Sequence, residues 1–197
     1  MTERSFDIII AGGGLSGLSL AYYLSLGNYE GRILIVDAHF EPKNDKTWCF
    51  WTQDQPPFPE IIHKEWDFIR TSALNHEKVH KLDPYTYYCI RSGDFKKMAL
   101  ESLKENEKVI FREARISSLE GSTNKAKLIT ENGETFEADY IFQSAFPPKE
   151  LKHDGTVKYP LIQHFMGWEI RVKEDFFDDR EATFMDFDAS WTPGVGF

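Results

Sequence analysis

The sequence predicts an α/β fold built on a doubly wound sheet, and three observations carry that expectation. A continuously apolar, β-branched run, Ile8-Ile9-Ile10-Ala11, opens into Gly12-Gly13-Gly14-Leu15-Ser16-Gly17. A second apolar strand, Arg32 to Val36, ends in Asp37. After a long interruption, further sheet returns and closes with Ala138-Asp139-Tyr140-Ile141-Phe142. Apolar runs without alternation are what strands buried on both faces require.

The first unit is the most informative. Gly12, Gly14 and Gly17 have the G-x-G-x-x-G spacing: the first allows a tight turn, the second lets a pyrophosphate approach the backbone, and the third lets the helix pack closely on the strand. Phosphates then rest on free N–H groups at the helix start. Asp37 follows Gly17 by twenty residues, where an acid reaches a ribose hydroxyl. The stretch therefore reads as a mononucleotide-binding βαβ unit. Ile8 to Tyr29 lacks any charged residue, but adjacent glycines and Ser16, Ser19 and Ser25 dilute it too far for a membrane span. Glu3, Arg4 and Asp7 do not make the positive start of a signal peptide.

With 197 residues, the chain holds one ordinary domain or parts of two interleaved ones. A net charge of -9 with no basic patch argues against nucleic acid as a partner. Cys49 and Cys89 lack a partner motif and read as reduced thiols of a cytosolic protein. Aromatic residues make up 15% of the chain, which suggests an apolar ligand, or equally an aromatic core.

Residues 1–45 form the βαβ unit and a polar loop containing Pro42. Residues 46–93 are inserted strands. They begin with Lys46-Thr47-Trp48-Cys49-Phe50-Trp51, which either walls a flavin or substrate pocket or makes a small core. Pro56, Pro57 and Pro59 exclude regular structure before Ile61. Trp66 to Thr71 and Lys78 to Leu82 read as antiparallel strands joined near Asn75, with Tyr85 to Ile90 a third. His76-Glu77-Lys78-Val79-His80 matches H-E-x-x-H. Zinc chemistry needs that motif on a helix, and Asn75 and Leu82-Asp83-Pro84 do not permit one, so no metal site is expected.

Residues 94–146 return to the first sheet. Asp94 to Asn106 is an amphipathic helix with Phe95, Met98, Ala99 and Leu103 on one side, capped by Ser92 or Asp94. Val109 to Phe111, Ala114 to Leu119, Ala126 to Thr130, Thr135 to Phe136 and Ala138 to Phe142 read as strands, with Glu131-Asn132-Gly133-Glu134 as a hairpin turn. Residues 147–197 begin a second sheet after Pro147-Pro148. Leu161 to Val172 has a strand pattern with Gln163, Phe165, Gly167, Glu169 and Arg171 on its wetter face. By pattern alone Glu169 is a solvated glutamate or a catalytic acid, and Asp186 with Asp188 an exposed pair. Trp191 to Phe197 fits no element.

Four stretches resemble the bacterial kind of the lycopene β-cyclase family of flavoproteins: Gly12 to Leu24 with Asp37, Lys46 to Trp51, Tyr159 to Ile170, and Ala182 to Phe187. The first is common to many flavoproteins. Thr47-Trp48-Cys49-Phe50-Trp51 and Gln163-His164-Phe165-Met166-Gly167-Trp168-Glu169 are narrower. The resemblance implies a glutathione-reductase-type FAD-binding Rossmann domain interleaved with a β-sheet substrate domain, C-terminally truncated. It implies FAD, reduced by NADPH or NADH, and cyclisation of the ψ ends of lycopene to β rings without net redox change. The expected cofactor contacts are Gly12, Gly13, Gly14, Leu15, Ser16, Gly17, Asp37, Trp48, Arg91 and Ile116. The family's acid position falls on Glu169, with Asp186 as a second carboxylate. Because lycopene dissolves in membranes, a cytoplasmic location with peripheral contact at the inner face of the membrane is expected. Family members are much longer, so the AMP side of FAD is expected to be cradled, its reactive ring not, and the chain alone to bind FAD weakly. Two other readings share the glycine motif: an inert nucleotide-binding fragment, and a flavin monooxygenase or reductase of a polyprenyl substrate.

Overall fold

The computed structural model describes residues 5–56, 58–121, 125–145, 167–174 and 176–187. The described residues form two compact units. The first draws on the described residues within 1–47 and 91–151, the second on those within 48–90 and 152–197.

The first unit begins with β1 (Ser5–Ala11), α1 (Leu15–Leu26) and β2 (Ile33–Asp37). Five strands, β3 to β7, intervene within residues 47–91, and the first unit resumes with α2 (Ser92–Lys104), β8 (Val109–Glu113), β9 (Ile116–Gly121), β10 (Ala126–Thr130) and β11 (Thr135–Gln143). Its six-stranded sheet has the order β8-β2-β1-β11-β10-β9. The first four strands are parallel neighbours, while β10 and β9 run antiparallel as a meander. The strands without alternation are the central ones. Ile9, Ile10 and Ile33 to Val36 are each at most 1% exposed, and burying each such side chain contributes about 1.5–3 kcal/mol. Both helices present small or apolar residues inward, Leu18 and Ala21 from α1 and Phe95, Ala99 and Leu103 from α2, and they pack on one another.

Two local expectations require correction. Neither Ser92 nor Asp94 caps α2. Arg91 takes the N-cap position without a side-chain bond, and Asn44, arriving on the loop after β2, accepts the Gly93 and Asp94 N–H groups at 2.7 and 3.3 Å. Ser92 instead ties that loop down, accepting the Lys46 N–H at 3.0 Å and donating to the Lys43 carbonyl at 2.7 Å. The pieces Thr135 to Phe136 and Ala138 to Phe142 are one continuous strand, β11, because Glu137 continues its pairing with both β1 and β10. The hairpin turn before it forms as read, with Gly133 at φ +83°, a conformation that glycine adopts without strain.

The second unit contains β3 (Thr47–Thr52), a 3-10 turn (Pro59–Ile61), β4 (Ile62–Trp66), β5 (Phe68–Ala73), β6 (His76–Lys81), β7 (Thr86–Arg91) and β12 (Glu181–Asp186). They make two three-stranded sheets, β3-β7-β4 and β12-β5-β6. The expected strand from Trp66 to Thr71 is broken at Asp67 into two strands of different sheets. Its hairpin with β6 stands, turning through Leu74 and Asn75 at φ +54° and +61°. The third expected strand, β7, pairs with β4 rather than with that hairpin. β12 runs parallel to β5, and Arg70 of β5 pairs with Glu77 of β6 and Glu181 of β12. Residues 167–172 are not a strand and are exposed throughout, so the alternation read there does not translate into pairing. Residues 146–166 and 188–197, with the Gln163 to Met166 stretch and Asp188 among them, lie outside the described residues.

Candidate functional site

The glycine motif is assembled by β1, the head of α1 and the end of β2. Gly12 leaves β1 at φ +113°, and a Cβ there would meet the Ala145 backbone nitrogen at 2.7 Å. Position 12 therefore excludes every other residue on both counts. Gly17 lies where α1 crosses the strand end. A Cβ would overlap the Gly12 carbonyl oxygen and stand 3.0 Å from Ile10 Cγ2. Gly14 differs from both, since a Cβ there has nothing within 4 Å. The chain needs no glycine at position 14 for its own packing, and the backbone there is exposed and open to approach from outside.

Gly14 is also the N-cap of α1, without a side-chain bond and with no acid in the first turn. Leu15 and Ser16 open that turn, and an uncapped, positive helix end of this kind stabilises anions. Beside it, Asp37 accepts the Gly13 N–H at 2.6 Å and the His39 N–H at 2.8 Å, one on each carboxylate oxygen. An ionised carboxylate has about four lone-pair sites, so Asp37 is fixed in orientation and still has capacity for hydroxyl donors.

Of these residues, Gly12 and Asp37 border a cavity of about 640 Å³ within the first unit. Gly12, Val36, Asp37 and Ala38 form one side, Ala114 to Leu119 another, and Gln143 with Ala145 a third. It opens beyond the C-terminal ends of β1, β2, β8 and β11, where ligands of open α/β sheets bind. The lining combines an oriented carboxylate, Asp37, with the apolar side chains of Ala114 and Ile116, and the uncapped start of α1 follows Gly12 closely in the chain. Ile116 thus joins Gly12 and Asp37 in one cavity. Gly13, Gly14, Leu15, Ser16, Gly17, Trp48 and Arg91 are not among its lining residues. Arg115, Gln143 and Ala145 line it and carry no sequence motif, although each follows or ends a parallel strand at its C-terminal end, the signal that the strand topology supplies.

In the second unit the aromatic run of β3 becomes a packed cluster. Trp51 stacks on Tyr87 at 4.1 Å, Phe184 meets both edge-on at 5.4 and 6.0 Å, and Trp66 lies 5.7 Å from Tyr87. Trp51 and Phe184 remain about 40% exposed, a half-open aromatic face. Glu169 is exposed beside Trp168, and Asp186 is exposed at the end of β12. The H-E-x-x-H residues lie on β6, where His80 contacts Thr71 Oγ1 at 3.3 Å. Among the described residues no metal-binding group of His, Cys, Asp or Glu forms, and no helix is long and apolar enough to cross a membrane.

The fold that holds this cavity is similar to that of the halogenase PltM in complex with phloroglucinol and FAD, at 14% identity and TM-score 0.54, covering 71% of this chain and 34% of that one. It is similar to Diels-Alderase PyrE3 of the pyrroindomycin biosynthetic pathway, at 18% identity and TM-score 0.52, covering 72% and 32%. A flavoprotein/dehydrogenase from Cytophaga hutchinsonii gives 13% identity and TM-score 0.54, covering 71% and 38%. The chain thus spans about a third of the length of the solved structures it matches. Among curated proteins none matches. A family model described as lycopene cyclase protein matches residues 7–194.

Proposed function

The chain belongs to the lycopene cyclase family, and from that membership we propose that it serves FAD-dependent cyclisation of the ψ ends of lycopene to β rings. The observation that carries the cofactor is the open space over Gly14 at the uncapped start of α1, next to the oriented Asp37. Gly12, Gly13, Gly14, Leu15, Ser16 and Gly17 hold the pyrophosphate, Asp37 the ribose, and Ile116 the adenine. Trp48 and Arg91 are reserved for the remainder of FAD. The reduced cofactor, regenerated by NADPH or NADH, supplies an electron-rich surface that stabilises a neighbouring cation.

The rest of the chemistry falls to side chains. Protonating a polyene carbon requires a carboxylic acid held neutral at pH 7, and an apolar surrounding raises its pKa to that point. Glu169 is assigned this role. Its neighbour Trp168, 82% exposed, brings an indole to the same stretch, ready to be covered together with Glu169 when apolar substrate is bound. The tertiary cation is shielded from water and faced by aromatic rings until a base removes a proton. Asp186 is the second carboxylate. Substrate of this kind is delivered from a bilayer, so peripheral membrane contact is part of the proposal.

Expression in cells that accumulate lycopene tests the reading, with pigments separated by chromatography and weighed by mass spectrometry. An isomeric product of unchanged mass supports it. A product that has gained oxygen or hydrogen, or lycopene untouched by well-expressed protein, overturns it.

A further inference from the structure

In the sheet β3-β7-β4, strands β3 and β7 are neighbours, and their register follows from three contacts. Ser92 N–H donates to the Lys46 carbonyl at 2.9 Å, Phe50 stacks on Tyr88 at 5.8 Å, and Trp51 stacks on Tyr87 at 4.1 Å. A single antiparallel register satisfies all three, and it sets Cys49 directly opposite Cys89. Hydrogen-bonded and non-hydrogen-bonded positions alternate along such a pair. Counting from the bonded position of Lys46 and Ser92, Cys49 and Cys89 fall on a non-hydrogen-bonded one. There the Cα atoms approach to about 4.5 Å and side chains are closest, inside the roughly 4.4–6.8 Å range of disulfides. Both cysteines are free, and this register places their side chains on the same face of the sheet.

We propose that Cys49 and Cys89 are a redox pair that a low-molecular-weight disulfide converts reversibly into a cross-strand disulfide, closing residues 49–89 into a covalent loop. The two members are unequal. Cys49 is exposed, whereas Cys89 is buried, at 6%. The Cys89 thiol and the Tyr87 hydroxyl both donate to Cys49 and hold it well below the usual thiol range, at about 6. Thiolate is the attacking form, so Cys49 attacks first. It bonds to one sulfur of the small disulfide and expels the other as a thiol. Cys89 then gives up its proton, attacks the Cys49 sulfur and expels the second small thiol. Two electrons and two protons pass from the protein dithiol to the small disulfide, which departs as two thiols. The result fixes the strand bearing Trp48 and Trp51 to its neighbour.

The test exposes the unaltered chain to oxidised glutathione, followed by non-reducing proteolysis and mass spectrometry. The expected product links the Cys49 peptide to the Cys89 peptide with the loss of two hydrogens, retains no glutathione, and reverts in dithiothreitol. In Cys89→Ser the glutathione adduct is expected to persist on Cys49, and in Cys49→Ser the buried Cys89 to react at least about tenfold more slowly. A lasting adduct on Cys49 of the unaltered chain, a disulfide between two chains, or two thiols still reduced under oxidant each overturns the proposal. The unaltered chain alone distinguishes these outcomes, even where a variant fails to fold.

Discussion

Replacing Gly14 by alanine separates the needs of the fold from those of the ligand. Gly14 sits at φ -84° and ψ -168°, an extended conformation open to alanine, and its Cβ would touch nothing within 4 Å. Loss of glycine freedom in the unfolded chain favours the variant by about 0.4–1 kcal/mol. Alanine is a poorer N-cap than glycine by a comparable amount, roughly 0.5–1 kcal/mol, so net stability changes by less than about 1 kcal/mol. Binding is another matter. The methyl group occupies the approach to the α1 N-terminus, and one charge-assisted bond to phosphate is worth about 1.5–3 kcal/mol. At about 1.4 kcal/mol per factor of ten, ADP affinity should fall roughly tenfold to a hundredfold while the melting temperature stays in place. Titration calorimetry with ADP and FAD, paired with thermal unfolding, measures both. ADP binding at unaltered affinity with an intact fold would show that the phosphates do not use this end of the helix, and the site as described would be wrong.

Gly17→Ala should do the opposite, unfolding at lower temperature by about 1–3 kcal/mol, because its methyl group collides with the Gly12 carbonyl and Ile10; a melting curve decides it. Asn44→Ala should cost about 1 kcal/mol by stripping the cap from α2, seen as a lower urea midpoint with an unchanged slope. Asp37→Asn should cost about 1–3 kcal/mol, since an amide offers one acceptor to the two N–H groups of Gly13 and His39, and ADP affinity should drop with it. The rate of Cys49 alkylation by iodoacetamide should rise with pH through about 6. The sign follows from the thiolate being the nucleophile. Tyr87→Phe removes one of the donors and should move that midpoint upward; Lys64, opposite Cys89 on β4, has its ammonium on Asp179 at 2.8 Å. Unchanged alkylation kinetics in Tyr87→Phe would contradict the assigned donor.

What the sequence made legible was local or repeated within one element. The βαβ unit announces itself because Gly12, Gly14, Gly17 and Asp37 stand at the spacing of a nucleotide-binding crossover within a single unit. Asn132-Gly133 likewise fixes its hairpin through conformations that few residues tolerate. The less legible features depend on partners distant in sequence. Asn44 caps a helix fifty residues away, and nothing near α2 signals it. The break at Asp67 follows from β4 and β5 joining different sheets, a choice that apolar alternation in Trp66 to Thr71 does not record. The facing of Cys49 and Cys89 is set by register alone. In residues 167–172 alternation was present and pairing was not, because a strand also requires a neighbour to bond with.

The placement of β1 has a consequence for biosynthesis. β1 is bonded on one side by β2, within its own crossover, but on the other by β11, where Ser5 pairs with Glu137. A ribosome adds about 5–20 residues per second, so the flank of Ile8, Ile9 and Ile10 emerges on the order of ten seconds before its second partner exists. Throughout that interval the nascent chain carries an open, apolar strand edge of the kind that recruits other chains. Until β11 arrives, that flank of the βαβ unit is the edge a chaperone would have to shield.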